Sequence, residues 1–277
     1  MKRGRCKRTL QDISLYLCIG VITLFFILAI IPEVFAPFPE NKRFIPYMDP
    51  DTVHFLGTDD MGYDIFSLLI YAARISLLIG FCAGGFSIFI GTATGLVSGY
   101  FRGWIDDLLM ALTDIVLIIP KIPAIILISA FLRPSIWILI LILGFFSWET
   151  TARVVRARTL QMSTSGHVLS ARSLGFSSYQ ILISDIVPVI FPVLLPKFML
   201  TITGAMISEA SLSFLGLSDP TMNSWGRMIS DAFTHGGFIR EMWWWFLPPA
   251  ICISGAIISF IRIGMVYEKP GQETMVE

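Results

Sequence analysis

Long apolar runs, with few charges, set the rhythm of this chain. Stretches 13–31, 75–97, 108–132, 135–152, 186–207 and 242–261 each approach the roughly 20 residues needed to cross a bilayer core as a helix. The fourth run is the weakest, because its uncharged core stops at Trp148 and Glu149 follows. Polar positions gather between the runs, most densely in connections 32–74, 153–185 and 208–241. The pattern predicts an all-α integral membrane protein with six transmembrane helices. The first run follows a basic start, MKRGRCKRTL, as in a signal peptide, but its nineteen uncharged residues exceed the roughly 7–15 of a signal core. A retained anchor is expected, with VFA (34–36) as the alternative cleavage point.

Lysine and arginine then assign sides, since cytoplasmic connections are enriched in them. With the start of the chain inside, inner segments hold twelve (Lys2, Arg3, Arg5, Lys7, Arg8, Arg102, Arg153, Arg156, Arg158, Arg172, Arg262, Lys269) and outer segments five (Lys42, Arg43, Arg133, Arg227, Arg240). Arg74, Lys121 and Lys197 fall at or inside span ends. Both termini and the 153–185 connection are therefore expected in the cytoplasm. Composition agrees with a membrane class: 55% of the 277 residues are hydrophobic and 14% charged, against about 25% charged in soluble domains. Net charge is zero, so only the placement of charge is informative. Cys6, Cys18, Cys82 and Cys252 are scattered without metal or disulfide spacing. No metal site is expected.

Within the runs, several residues are out of place for lipid. Gly80, Gly84, Gly91 and Gly95 recur at intervals that keep them on one face of the second span, suited to close helix packing either within the chain or against a partner. Asp107 and Asp114 share a face of the third span, which PKIP (120–123) breaks. Asp114 and Lys121 must face protein or water, as a functional pair or a structural one. Pro188, Pro192 and Pro196 each remove a backbone bond from the fifth span. Such irregularity survives where protein or a watery cavity satisfies the freed carbonyls, so Pro192 and Pro196 mark a pathway-lining candidate against a merely kinked helix. The phosphate-loop pattern GxxxxGK[ST] is absent, as are HExxH and GxSxG. His54, His167 and His235 are isolated. No catalytic residue is expected, and no nucleic-acid partner.

The segment LSARSLGFSSYQILISDIVP (169–188) is polar between greasy neighbours. Ser170 to Leu174 can make a helical turn, Gly175 a left-handed stop, and Ser177 can cap a second short helix, 178–186. This stretch resembles the cytoplasmic EAA loop of ATP-binding-cassette importer permeases. Ser170, Ala171, Gly175 and Pro188 occupy matching positions, while Leu169 stands in place of the glutamate and Asp185 in place of an isoleucine. HFLGTDDMGYDIFSLLIYAARISL (54–77), EASLSFLGL (209–217) with SWG (224–226), DLLMALTDIVLIIP and WETTARVVRA are similar to signatures of the dipeptide, oligopeptide and nickel permeases of that class. Tyr63, Leu68 and Ala111 replace arginines of that pattern.

The resemblance implies a subunit without an ATPase site of its own. A coupling loop formed by Ser170, Ala171, Arg172, Gly175 and Pro188 would sit on a cytoplasmic ATPase. Two ATPase subunits would hold ATP and magnesium, a second homologous permease would complete the path, and an extracytoplasmic binding protein would deliver cargo. Asp114 and Glu209 are then gating or structural candidates near that path, and Arg153 and Arg156 chiefly topology signals. The implied cargo is a peptide, nickel or a nickel chelate, and the implied location is the inner (cytoplasmic) membrane. The implied organisation is a cytoplasmic segment 1–12, a first span with outer segment 13–74, a permease core 75–266 with coupling loop 153–185, and a tail 267–277. An ion-gradient-driven transporter using Asp114, Lys121 and Lys197 as relays is the alternative.

Overall fold

A computed structural model describes residues 2–132 and 135–268; Arg133 and most of the expected tail lie outside these residues. The described residues form helices and no strand, in the order α1 Lys2–Ile30, α2 Pro32–Phe35, α3 Ile65–Phe101, α4 Gly103–Ile118, α5 Lys121–Phe131, α6 Ile136–Phe145, α7 Trp148–Ser163, α8 Gly166–Ser173, α9 Ser178–Gln180, a π-helical turn Ile181–Ile186, α10 Val187–Phe214, α11 Trp225–Thr234 and α12 Trp243–Glu268. Four helices cross a membrane by length and apolarity alone: 13–30 of α1, α3, the continuous 178–214 segment and α12. Two bent pairs bring the number to six, α4 with α5 at 83° and α6 with α7 at 40°.

α3 is the central post, and it starts ten residues before the expected span. Asp64 caps it by accepting bonds from Ser67 N at 2.8 Å and Ser67 Oγ at 2.7 Å. Its glycine face is divided along its length between two other helices of the same chain. Methyl groups at Gly80 and Gly84 would crowd Ile202 and Met206 on α10, and at Gly91 and Gly95 they would strike Trp148, Thr151, Ala152 and Val155 on α7. Gly99 extends the same contact to Arg156 and Thr159. The glycines thus admit α7 and α10 at close range, which is how helices attract one another where lipid removes the hydrophobic drive.

The broken spans follow from local sequence. Pro120 precedes α5, and the chain at Ile119 and Pro120 is extended, so α4 cannot run on into α5. Where the fifth span was expected, the structure corrects the separate short helix at 178–186: the chain runs on without interruption into α10. Pro188 has no N–H for the Ser184 carbonyl, and the register slips to a π turn in which Val187 N donates to Leu182 O.

Opposite ends of the bundle carry different material. Arg262 near the end of α12 donates to Ser14 on α1 at 3.1 Å, and Arg102 at the end of α3 donates to Ser163 at the end of α7 at 2.8 Å. The start of α1, the end of α12 and the loop after α7 therefore share one end. The other end is a cap made from segments 31–64 and 215–242. Beside it, Arg74 ties α3 to the end of α1 through the Ala29 and Ile30 carbonyls.

Candidate functional site

The loop after α7 is a built object. At the end of α8, Gly175 takes φ +85°, Phe176 N donates to Ala171 O and Gly175 N to Arg172 O, the paired bonds of a Schellman stop. Two residues later Ser177 opens the next helix with a capping box, its backbone N–H and Oγ reaching Gln180 Oε1 at 3.0 and 2.9 Å. Val168, Ile181 and Ile186 bury themselves beside Val155 and Tyr100, which anchors the loop to the bundle. The Arg172 guanidinium lies 5.2 Å from the Tyr100 ring, and His167 Nε2 lies 3.2 Å from Asp185 Oδ1. Leu169, Leu174, Phe176 and Tyr179 point outward; Leu174 is 77% exposed and Tyr179 74%. The result is a doubly capped knob at the end of the bundle, with four large apolar side chains exposed among polar ones. Ser170, Ala171, Arg172 and Gly175 lie together on it, whereas Pro188 lies beyond the π turn, at the base of α10.

Three ion pairs climb from this end between α4–α5 and α7. Arg156 grips Asp106 through both carboxylate oxygens at 2.6 Å, Arg153 meets Asp114 at 2.6 Å, and Lys121 meets Glu149 at 2.6 Å. Arg153 and Arg156 are thus paired within the bundle, a role beyond marking topology. It is Asp106, not Asp107, that turns inward. Burial differs from rung to rung. Both side chains of the middle rung are about half exposed, at 54% and 53%, while Glu149 in the last is fully buried behind a Lys121 that is 41% exposed. Sequence reading had Glu149 only as the end of an apolar run; the sole signal was a carboxylate directly after a buried tryptophan.

Toward the capped end, Glu209 is fully buried and its Oε1 accepts from Ser213 Oγ and Ser224 Oγ, both at 2.6 Å. Ser224 also caps α11, and Gly226 packs directly on Ala210, so EASLSFLGL and SWG form one fold-back. Glu209 is therefore a brace within that fold-back, while Asp114 is engaged by Arg153; the structure does not bring these two candidates together. Pro192 is exposed on α10 and Pro196 buried.

The HFLGTDDMGYDIFS stretch forms the cap. Gly57 and Gly62 take φ +67° and +82°, with carbonyls of Met48 and Phe44 where a Cβ would stand. His54 Nδ1 lies 2.9 Å from Asp64 Oδ1, and Asp59 accepts from Met61 and Tyr63 N–H. A cavity of about 610 Å³ opens within the cap, between its 39–63 segment and α11, lined among others by Glu40, Asp59, Asp60, Arg227, Asp231 and His235. Burial lifts the Asp59 carboxyl to about 6 against the opposing bond from Tyr63 N–H, and burial raises Asp231 despite the nearby Arg227.

A bundle of broken and proline-bearing spans, a polar ladder inside it and a doubly capped knob at one end define a multi-pass membrane transport subunit. Residues 91–269 match the family described as binding-protein-dependent transport system inner membrane component, and the chain belongs to that family as an ABC importer permease. The dipeptide transport system permease protein DppC of Alkalihalophilus pseudofirmus is 31% identical over 247 residues, 88% of this chain and 80% of its own length. The oligopeptide transport system permease protein OppC of Bacillus subtilis is 32% identical over 238 residues, 84% of this chain and 77% of its own. The glutathione transport system permease protein GsiD of Pectobacterium atrosepticum is 35% identical over 184 residues, 66% and 61% of the two chains.

Proposed function

We propose that this subunit imports short peptides by alternating access, driven through the 166–177 knob by ATPase subunits on the cytoplasmic side. The observation that carries this reading is the knob itself: exposed apolar side chains on a doubly capped loop that continues without a break into α10. A partner pushing there moves a helix that extends through the bundle. Ser170, Ala171, Arg172 and Gly175 make the contact, and Pro188 begins the segment that transmits it. Two ATPase chains supply ATP and magnesium, and hydrolysis belongs to them. A second permease faces the half-exposed Asp114–Arg153 rung across the pathway, with Pro192 and Pro196 softening the lining helix and Glu209 holding its outer end. A binding protein docks on the cap. The names of the relatives favour peptide over nickel or a nickel chelate. Against a gradient-driven relay, Asp114 and Lys121 are each engaged by an opposite charge at 2.6 Å.

The test is uptake into vesicles containing the assembled complex, with binding protein and labelled peptide outside and ATP within. Uptake requiring hydrolysis is expected. Uptake by this chain alone, or uptake abolished by collapsing the ion gradient while ATP is hydrolysed normally, refutes the reading. Labelled nickel with and without a chelator, run in parallel, decides the cargo.

A further inference from the structure

Across the cavity of the cap, acid faces acid. Glu40, Asp59 and Asp60 line it from the 39–63 segment and Asp231 from α11, while the cations of the lining are Arg227 and His235. Arg227 is drawn to its own side, with Nε 3.4 Å from Asp231 Oδ2 and Nη1 donating to Asp219 O at 3.4 Å. His235 Nδ1 lies 3.7 Å from Asp60 Oδ2 on the opposite wall, and it answers that charge only when protonated. Two hydrogen bonds also cross: Tyr47 Oη donates to His235 O at 3.0 Å, and Asn223 Nδ2 to Glu40 Oε1 at 3.1 Å.

The other charged groups of the cap are turned elsewhere. Lys42 lies over the Phe38 and Phe44 rings, Arg43 over Tyr63 and Arg240 over Tyr47. His54 is turned to Asp64. From α3 the lining gains Tyr71, and from α12 the uncharged Trp245. With every acid ionised, the two walls therefore repel. Burial lifts the Asp59 carboxyl to about 6, with the Asp60 and Asp231 charges pushing the same way, and burial raises Asp231, with Asp60 adding to it. Both acids hold their protons more tightly with the walls together than in water.

We propose that the 39–63 segment and α11 form a latch, which closes over the cavity as its acids take up protons and loosens as they lose them. The sign follows from linkage: the closing contribution of Asp59 is complete below its ordinary 3.8 and is lost as pH rises through about 6. Loosening hydrates Asp59, so the ratio of open to closed latch rises roughly thirtyfold between pH 4.5 and 7.5, most of it below about 6. The device reaches the bundle through α11, which is bonded to Glu209 by Ser224 and packs on Ala210 through Gly226. It thus bears on the end of α10 opposite the knob. Under the import reading the cap faces the medium, whose pH then sets the latch; the latch itself does not depend on that reading.

The experiment measures the separation of the two walls directly, in the purified complex in lipid nanodiscs with no cargo present. Spin-label amino acids are placed at Met61 on the segment and Phe233 on α11, both more than half exposed. Expected is a short separation at pH 4.5 and a longer one at pH 7.5. In Asp59→Asn the amide oxygen still accepts from the Met61 and Tyr63 N–H groups while the charge is gone, so the walls should stay close at both pH values. Asp231→Asn leaves that turn untouched and should shrink the change. An equal separation at both pH values in the unaltered protein overturns the latch, as does a longer one at pH 4.5. A pH response undiminished in Asp59→Asn, or in Asp231→Asn should the first variant fail to assemble, overturns the assignment to these acids.

Discussion

An alanine at Gly95 would put its methyl carbon 2.6 Å from the Ala152 carbonyl oxygen, 2.7 Å from Val155 Cβ and 2.9 Å from Arg156 N. Two of these three neighbours are backbone, so no rotamer change relieves the clash. α7 must back away by about 0.8 Å to restore ordinary contact at 3.4 Å. Overpacking of this kind costs about 1–3 kcal/mol, and removing a helix glycine returns about 1. A net loss of up to about 2 kcal/mol is expected. Gly85, on the same helix, has nothing within 4 Å of a built Cβ, so Gly85→Ala should be neutral or stabilising. The triple variant at Gly91, Gly95 and Gly99 should cost less than three times the single one, because one displacement of α7 serves all three contacts. Detergent-titrated unfolding of the purified complex, followed by tryptophan fluorescence, measures each. Equal effects of Gly95→Ala and Gly85→Ala would refute the close-packing argument.

Lys121→Met strands the buried Glu149 and should destabilise by about 3 kcal/mol, the low end for a broken buried pair because Lys121 itself is 41% exposed. Glu149→Gln should be milder and the double variant should recover most of the loss, read as membrane abundance and unfolding midpoint; a single lysine variant as stable as the parent contradicts the pairing. Gly175→Arg adds about 1–2 kcal/mol of left-handed strain at φ +85° and puts bulk on the knob, so insertion should persist while uptake uncouples from ATP hydrolysis. Normal coupled uptake by a well-expressed variant removes the coupling role. Asp59 binds its proton more tightly folded than unfolded, so its contribution is complete below the ordinary 3.8 and is lost as pH rises through about 6. Asp59→Asn should therefore stabilise the protein by up to about 3 kcal/mol above pH 7 and do nothing near pH 4, a contrast that a melting series across that range would expose or deny.

Hydropathy located the four long spans and the two bent helix pairs, and PKIP, Gly175 and Ser177 marked the bend, the stop and the cap, because each of these acts within a few residues of itself. Span lengths were less legible. The first turns of α3, from Ile65, are apolar but are cut off from the expected span by Arg74, and they start where Asp64 caps the helix. Ion pairs were not legible at all. Asp114 and Arg153 lie 39 positions apart and meet because glycines on a third helix let α7 come close. Likewise, Glu209 reads as an isolated acid until the turn at 215–223 folds Ser224 back onto it. Proline at 188 was visible, but its outcome, a slipped register in place of a break, depends on the packing of Ile181 and Ile186 on both sides of the slip.

The slipped turn at 181–186 has a mechanical consequence. At 1.5 Å per residue the 37-residue segment is a rod about 55 Å long, with the knob at one end. Just inside that end sits a joint of looser winding, followed by prolines that strip successive carbonyls of their donors. Torque applied at the knob is thus spent first on winding or unwinding this joint, and only the remainder turns the far half of the rod. Under the coupling proposed above, the near end would follow each nucleotide cycle, while the outer half, braced at Glu209, would change state only when the stored twist exceeds what the brace can hold.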